Sequence, residues 1–175
     1  MKKSDLHPIP QYYDRYINLV PDVELSQAFD ASIRELDSLD RTKLARLEGK
    51  RYAPGKWTIN DIFQHLTDTE RIMCYRTLLY ARRDSTYPPG FDQDLLALNA
   101  HADKRPVHNL IQELTDVRRA TASLFGSFDD ETLQNKGISW TYEVTVLAMG
   151  FMIVGHQIHH LKGIEDKYYP LLDNH

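Results

Sequence analysis

The chain encodes an all-α four-helix bundle with a long crossover between its second and third helices. Three observations predict this. Four stretches carry apolar residues at helical spacing, and no stretch alternates with period two for long enough to build a sheet. Residues 84–106, with Tyr87-Pro88-Pro89-Gly90, separate the second stretch from the third, and a connection of that length lets the helices it joins run parallel.

In chain order, residues 1–20 hold Tyr12, Tyr13, Tyr16 and Ile17 among prolines and read as an arm laid over the body. Pro21-Asp22 is expected to open the first helix. There Leu25, Phe29, Ile33 and Leu36 recur at helical spacing, continuing after a break near Ser38-Leu39 to about Leu47. Gly49 and Pro54-Gly55 make a loop. Thr58 is a good N-cap with Asp61 three residues on, so the second helix starts there and runs through Ile59, Ile62, Phe63, Leu66, Met73 and Tyr80 to about Ala81. The crossover is expected to hold a short helix around Asp92–His101. Leu110, Ile111, Leu114, Val117, Leu124 and Phe125 mark the third helix, ending near Gly126-Ser127. A loop over 129–137 leads to the fourth, from about Tyr142 to Lys167.

At 175 residues, 42% hydrophobic and 26% charged, the sequence is that of one ordinary globular domain, residues 1–175, with a core of its own. A net charge of −4 with no basic stripe argues against nucleic acid. The one cysteine, Cys74, rules out an internal disulfide and fits a reducing, cytoplasmic setting. Pro8, Pro10 and Asp14 interrupt any apolar core of a leader, and Glu143, Gln157 and three histidines in or beside the Val144–Leu161 run argue against a membrane span.

Those histidines carry the chemistry. His156 and His160 stand one turn apart on one face of the fourth helix, where two imidazoles can grip a divalent ion. His65, on the shoulder of the second helix's apolar stripe, is the natural third ligand, since bundles build metal sites from inward-facing side chains of neighbouring helices. Three neutral ligands leave a position open for water or substrate. Asp68, one turn after His65, is a candidate to accept an imidazole N–H and fix its tautomer; His159 is a candidate to line the cavity and touch substrate. Cys74 falls on the opposite side of the second helix from His65 and reads as filler. No His-Glu-x-x-His, Glu-x-x-His, Gly-x-Ser-x-Gly or complete phosphate-binding loop occurs.

Two further features ask for partners. Glu70 and Arg118 fall where the helical periodicity predicts core, and a lone buried charge is so costly that the two are expected to pair, or one of them to reach the cavity. The fourth helix also has a second apolar face, with Leu147, Phe151, Val154, Ile158 and Leu161. That face must be covered by the arm or by a second copy, and a homodimer through this helix is the expectation.

Tyr52-Ala53-Pro54-Gly55-Lys56-Trp57-Thr58-Ile59, then His65-Leu66-x-Asp68-x-Glu70-Arg71 and Tyr75-Arg76, closing with His156-x-x-His159-His160, resembles the DinB-like superfamily of metal-dependent four-helix bundles over residues 20 to 170. The resemblance implies an up-down-down-up bundle with a right-handed twist, often dimeric, and a zinc or nickel ion held by His65, His156 and His160. It also implies thiol S-transfer or isomerisation with a low-molecular-weight thiol, or metal-dependent hydrolysis. The first expectation is therefore an enzyme that uses the metal to activate a thiol against a small electrophile. Hydrolysis and a non-catalytic binding bundle are the alternatives.

Overall fold

The computed structural model describes residues 1–173. A 3-10 turn at Lys3–Asp5 and a short helix α1 (Asp14–Ile17) form the arm. The first bundle helix, α2 (Leu25–Ser38), begins three residues later than Pro21-Asp22 suggests. Residue Glu24 is bridged to Lys2, and Leu25 N donates to Met1 O at 3.0 Å, so the chain stays extended up to the cap. The break at Ser38-Leu39 is real: Leu39 is extended, and a new turn α3 (Arg41–Ala45) starts with Asp40 accepting from Lys43 N at 2.9 Å.

Helix α4 (Ile59–Ala81) opens on the expected capping box. Asp61 N donates to Thr58 Oγ1 at 3.1 Å, and Thr58 N donates to Asp61 Oδ2 at 2.8 Å. The crossover holds α5 (Gln93–Ala100), and α6 (Val107–Gly126) follows. The expected loop over 129–137 is more ordered than the sequence suggests. It contains a turn of helix, α7 (Asp130–Leu133), and then a hairpin of β1 (Lys136–Ser139) and β2 (Tyr142–Thr145). Strands of four residues are too short to show a period-two pattern, and Gly137 packs against the Tyr80 ring, whose hydroxyl donates to Ile138 O at 2.7 Å. The last helix, α8 (Val146–Lys167), therefore starts four residues beyond Tyr142, with Thr145 as its cap.

Cross-helix contacts fix the directions. Asn60 Nδ2 donates to Arg105 O, Glu70 meets Arg118, and Cys74 meets Thr121, so α4 and α6 run parallel. The Tyr168 hydroxyl donates to Trp57 O while His156 meets His65, so α8 runs against α4. Gln157 Nε2 donates to Ser32 O and Leu25 packs at Gly150, making α2 parallel to α8. Phe29 on Phe125 and Asp37 near Arg119 make α2 antiparallel to α6. The course is up-down-down-up. Each sequential pair, α2 with α4 and α6 with α8, stands across a diagonal, and neighbours in space come from opposite halves of the chain.

The interior is two apolar clusters separated by a buried polar waist. One cluster gathers Phe29, Phe125, Leu147 and Phe151; the other gathers Phe63, Leu110, Leu114 and Ile164. Between them lie Ser32, Glu70, Arg118 and Gln157, all nearly inaccessible. Arg118 Nε and Nη2 donate to the two Glu70 carboxylate oxygens at 2.9 and 2.8 Å, the pairing that core burial of both charges demands.

The second face of α8 is covered by the arm. Leu147, Phe151, Val154 and Leu161 are buried within the chain, with Leu6, Tyr13, Ile17 and Val20 in the same core as the first three. The close approach depends on Gly155, because a β-carbon there would sit 2.0 Å from Tyr16 O. Most of this face is thus covered by the chain itself, and Ile158 stays half-buried. No helix among the described residues is long and apolar enough to cross a membrane.

Candidate metal centre

The antiparallel packing of α4 on α8 brings His65, His156 and His160 together at the waist. His65 Nε2 and His160 Nε2 lie 3.2 and 3.1 Å from His156 Nε2, and one ligand atom from each residue falls within 4.8 Å of the others. Tetrahedral zinc with Zn–N of about 2.0–2.1 Å would set its ligand nitrogens about 3.3 Å apart, and His156 stands at nearly that spacing from each of the other two. Three imidazole nitrogens converging with no carboxylate between them is an arrangement that a divalent cation satisfies. The donor set fits the ion that the histidine spacing implied.

Thr69, four residues after His65, stands with Oγ1 3.3 Å from His65 Nδ1. It can accept the Nδ1 proton and leave Nε2 bare for a metal. This is the role that Asp68 was expected to fill. Asp68 is turned elsewhere: it accepts from Gln64 Nε2 at 2.9 Å and faces Arg71, in a polar network with Glu113 and Arg105 that ties α4 to α6. Three residues on, its carboxylate points towards the neighbouring helix; four residues on, Thr69 stays under the ring. His159 is exposed at the rim, its ring 5.4 Å from that of Tyr16 and 5.1 Å from that of His160. Cys74 lies half-buried beside Thr121, where burial pushes its thiol up to about 11, so it supplies no thiolate to the centre.

Burial holds the three histidines neutral. It drives His65 down to about 4 and His160 down to about 3, the latter reinforced by His65 and His159; His156, wholly enclosed, is held well below its ordinary value. Neutral imidazole is the form that binds metal, so no proton need be displaced at pH 7. The same shifts set the acid stability of the metal-free protein. Above pH 6.5 these rings are neutral in both folded and unfolded chains and cost nothing. Below it the unfolded chain takes up protons that the folded one refuses until about pH 3 to 4, so stability falls across that window. By pH 5 each of the buried rings costs roughly 2 kcal/mol. Urea midpoints from pH 8 to 5 after chelation should drop steeply below 6.5; saturating zinc should raise the midpoints without removing the drop, because metal-bound rings refuse protons as well. A midpoint independent of pH in that range would contradict neutral burial.

Two cavities border the centre, one at His65 and His156 and the other at His160. One, of about 310 Å³, runs along α4 past His65, Thr69, Met73 and Arg76 and is walled by Tyr12, Tyr16, Tyr87, Phe91 and Trp140. The other, of about 430 Å³, opens on the far side, lined by His159, His160, Lys56, Lys167 and Tyr168. Gln93 of α5 borders both. Histidine spacing does not single out Thr69, Arg76, Tyr16 or Trp140. For the two on α4 a signal exists, since positions 4 and 11 after His65 share its face. For Tyr16 and Trp140 no local signal exists, because long-range packing of the arm and the hairpin tip brings them in.

A family model described as the DinB superfamily matches residues 24–164. The chain belongs to the DinB superfamily. A DinB-superfamily reading agrees with its relatives. A protein of Oceanobacillus iheyensis named "putative metal-dependent hydrolase" is 26% identical over 117 residues, covering 66% of this chain and 67% of that one. YfiT from Bacillus subtilis, described as a probable metal-dependent hydrolase with an unusual four-helix bundle topology, superposes with a TM-score of 0.66 at 15% identity, over 91% of this chain and 87% of YfiT. A mycothiol-dependent maleylpyruvate isomerase superposes with a TM-score of 0.60 at 11% identity, over 91% of this chain but 61% of the isomerase. At such identities the superpositions establish the shared fold, the four-helix DinB bundle.

Proposed function

We propose that this DinB-superfamily protein is a divalent-metal-dependent enzyme that joins a low-molecular-weight thiol to a small electrophile. The observation that supports it is that two separate cavities border one tri-histidine cluster, one at His65 and His156 and the other at His160, a layout suited to two reactants. His65, His156 and His160 would hold the ion, zinc or nickel, since imidazole suits both. When bound, such an ion supplies Lewis acidity that lowers the pKa of a thiol or water beside it. The chain's own part is to keep three imidazoles neutral and aligned, to fix His65 through Thr69, and to exclude water with Tyr16 and Trp57, which pack on His156 and His65 at ring distances of 5.1 and 4.7 Å.

Hydrolysis is the second reading, favoured by the names that the relatives carry. It asks for a general base near the centre, and neither nearby carboxylate serves: Asp68 bonds Gln64, and Glu70 is locked to Arg118.

Elemental analysis of untagged wild type, His65→Ala and His160→Ala is the first test. About one equivalent of zinc or nickel, lost in both variants, is expected. Wild type that neither carries nor takes up metal would end both readings. With metal established, consumption of a small thiol in the presence of an alkylating dye, set against ester cleavage without thiol, separates transfer from hydrolysis.

A further inference from the structure

The chain buries two arginines in its interior and treats them differently. Arg118, 1% exposed, is neutralised by a bidentate Glu70. Arg76, 4% exposed, takes part in no ion pair among the described residues. Its Nη2 donates to Pro89 O at 2.7 Å and its Nη1 to Ser139 Oγ at 3.2 Å, both neutral acceptors, and its Nε has no partner. The guanidinium also lies 5.6 Å from the centre of the Phe91 ring. A buried guanidinium without a counter-charge costs several kcal/mol, an arrangement that becomes favourable when an anion arrives.

Arg76 lines the 310 Å³ cavity, and so does His65; none of the residues around that cavity is Asp or Glu. The two residues are eleven apart on α4, which places them within about 20° of one face and about 16 Å apart along the axis. Helical side chains lean towards the N-terminus, so the guanidinium stands nearer the histidines than its backbone does. Between them the wall is Thr69 and Met73, facing the rings of Tyr12, Phe91 and Trp140. The hydroxyl of Tyr13, which shares Ser139 with Arg76, is held neutral because burial raises it, and so it supplies no charge.

We propose that Arg76 anchors the carboxylate of a small, flat, apolar acid whose other end reaches the tri-histidine centre. This rests on the metal-centre reading only for where the reacting end lies. The planar fork of arginine matches a carboxylate, and the aromatic walls match an unsaturated or aromatic body.

Binding to the protein as purified tests it, with trans-cinnamate, benzoate and sorbate as probes and cinnamamide as the uncharged control, in wild type, Arg76→Met, Arg76→Lys and His65→Ala. At least one acid should bind wild type, with cinnamamide about tenfold weaker than cinnamate where cinnamate binds. Arg76→Met should lose about tenfold for that acid, and Arg76→Lys should keep part of it. Thermal melts identify a variant that has merely unfolded, and Arg76→Lys, which keeps the charge, then carries the comparison. His65→Ala should retain the preference for acid over amide. If that preference falls with His65→Ala and survives Arg76→Met, the centre and not Arg76 holds the acid, and the proposal fails. It fails equally if none of the three acids binds at millimolar concentration. A protein that holds no metal but still selects acid over amide through Arg76 would overturn the proposed function and leave this inference standing.

Discussion

Glu70→Leu should destabilise the protein by about 3–5 kcal/mol, because it strands Arg118 as a bare charge in the waist. Arg118→Met should cost a similar amount by stranding Glu70. The double variant Glu70→Leu/Arg118→Met should cost much less than the sum, since neither charge is then left to be buried alone and two apolar side chains of comparable length fill the gap. The coupling follows from geometry. The guanidinium meets both carboxylate oxygens at 2.8 and 2.9 Å, and neither residue can reach water without unpacking α4 from α6. Urea unfolding of the four proteins is the measurement. Additive losses would mean that the pair contributes nothing as a pair and that each side chain matters only for its bulk.

Gly155→Ala should unseat the arm. Its β-carbon would lie 2.0 Å from Tyr16 O and 2.5 Å from Tyr16 C, and both are backbone atoms that cannot rotate aside. Either α1 lifts from α8 or α8 shifts within the bundle, and the arm is the less constrained of the two. Tyr13, Ile17 and Val20 would lose burial, and a loss of roughly 2–4 kcal/mol is expected. Gly163→Ala on the same helix is the control. Nothing lies within 4 Å of its β-position, so it should be neutral or stabilise by about 0.5–1 kcal/mol through helix propensity. Limited proteolysis should cut within residues 1–24 in the first variant and not in the second. Equal behaviour of the two would show that the arm does not depend on the close approach.

Much of this was readable from residues alone, and the limits have physical causes. The four helices, the cap at Thr58, the break at Leu39 and the Glu70–Arg118 pair are legible because periodicity and burial cost are local or pairwise constraints. The closeness of His156 and His160 on α8 follows from a four-residue spacing, and the inward placement of His65 from its place on the stripe. The hairpin is not legible, since four-residue strands carry almost no pattern and their stability comes from Tyr80 and the cavity wall. The cover of α8 is ambiguous by nature, since an apolar face does not say whether its partner comes from the same chain. Asp68 and Thr69 are not separable in the sequence, because a helical wheel ranks faces and cannot tell which of two neighbours, at three or four residues, will reach a given ring atom.

The diagonal placement of successive helices has a consequence for how the chain is made. When residues up to Ala81 have emerged from the ribosome, α2 and α4 exist but neither is the other's neighbour, and both apolar stripes lack a surface to bury against. Their first partner, α6, comes only after the crossover, and their second, α8, is the last long helix synthesised. The apolar stripes of α2 and α4 therefore stay without their helical partners until α6 has been made. The metal site shares this lateness. His65 is made early, but His156 and His160 arrive only with α8, so the candidate centre can assemble only when the fourth bundle helix packs.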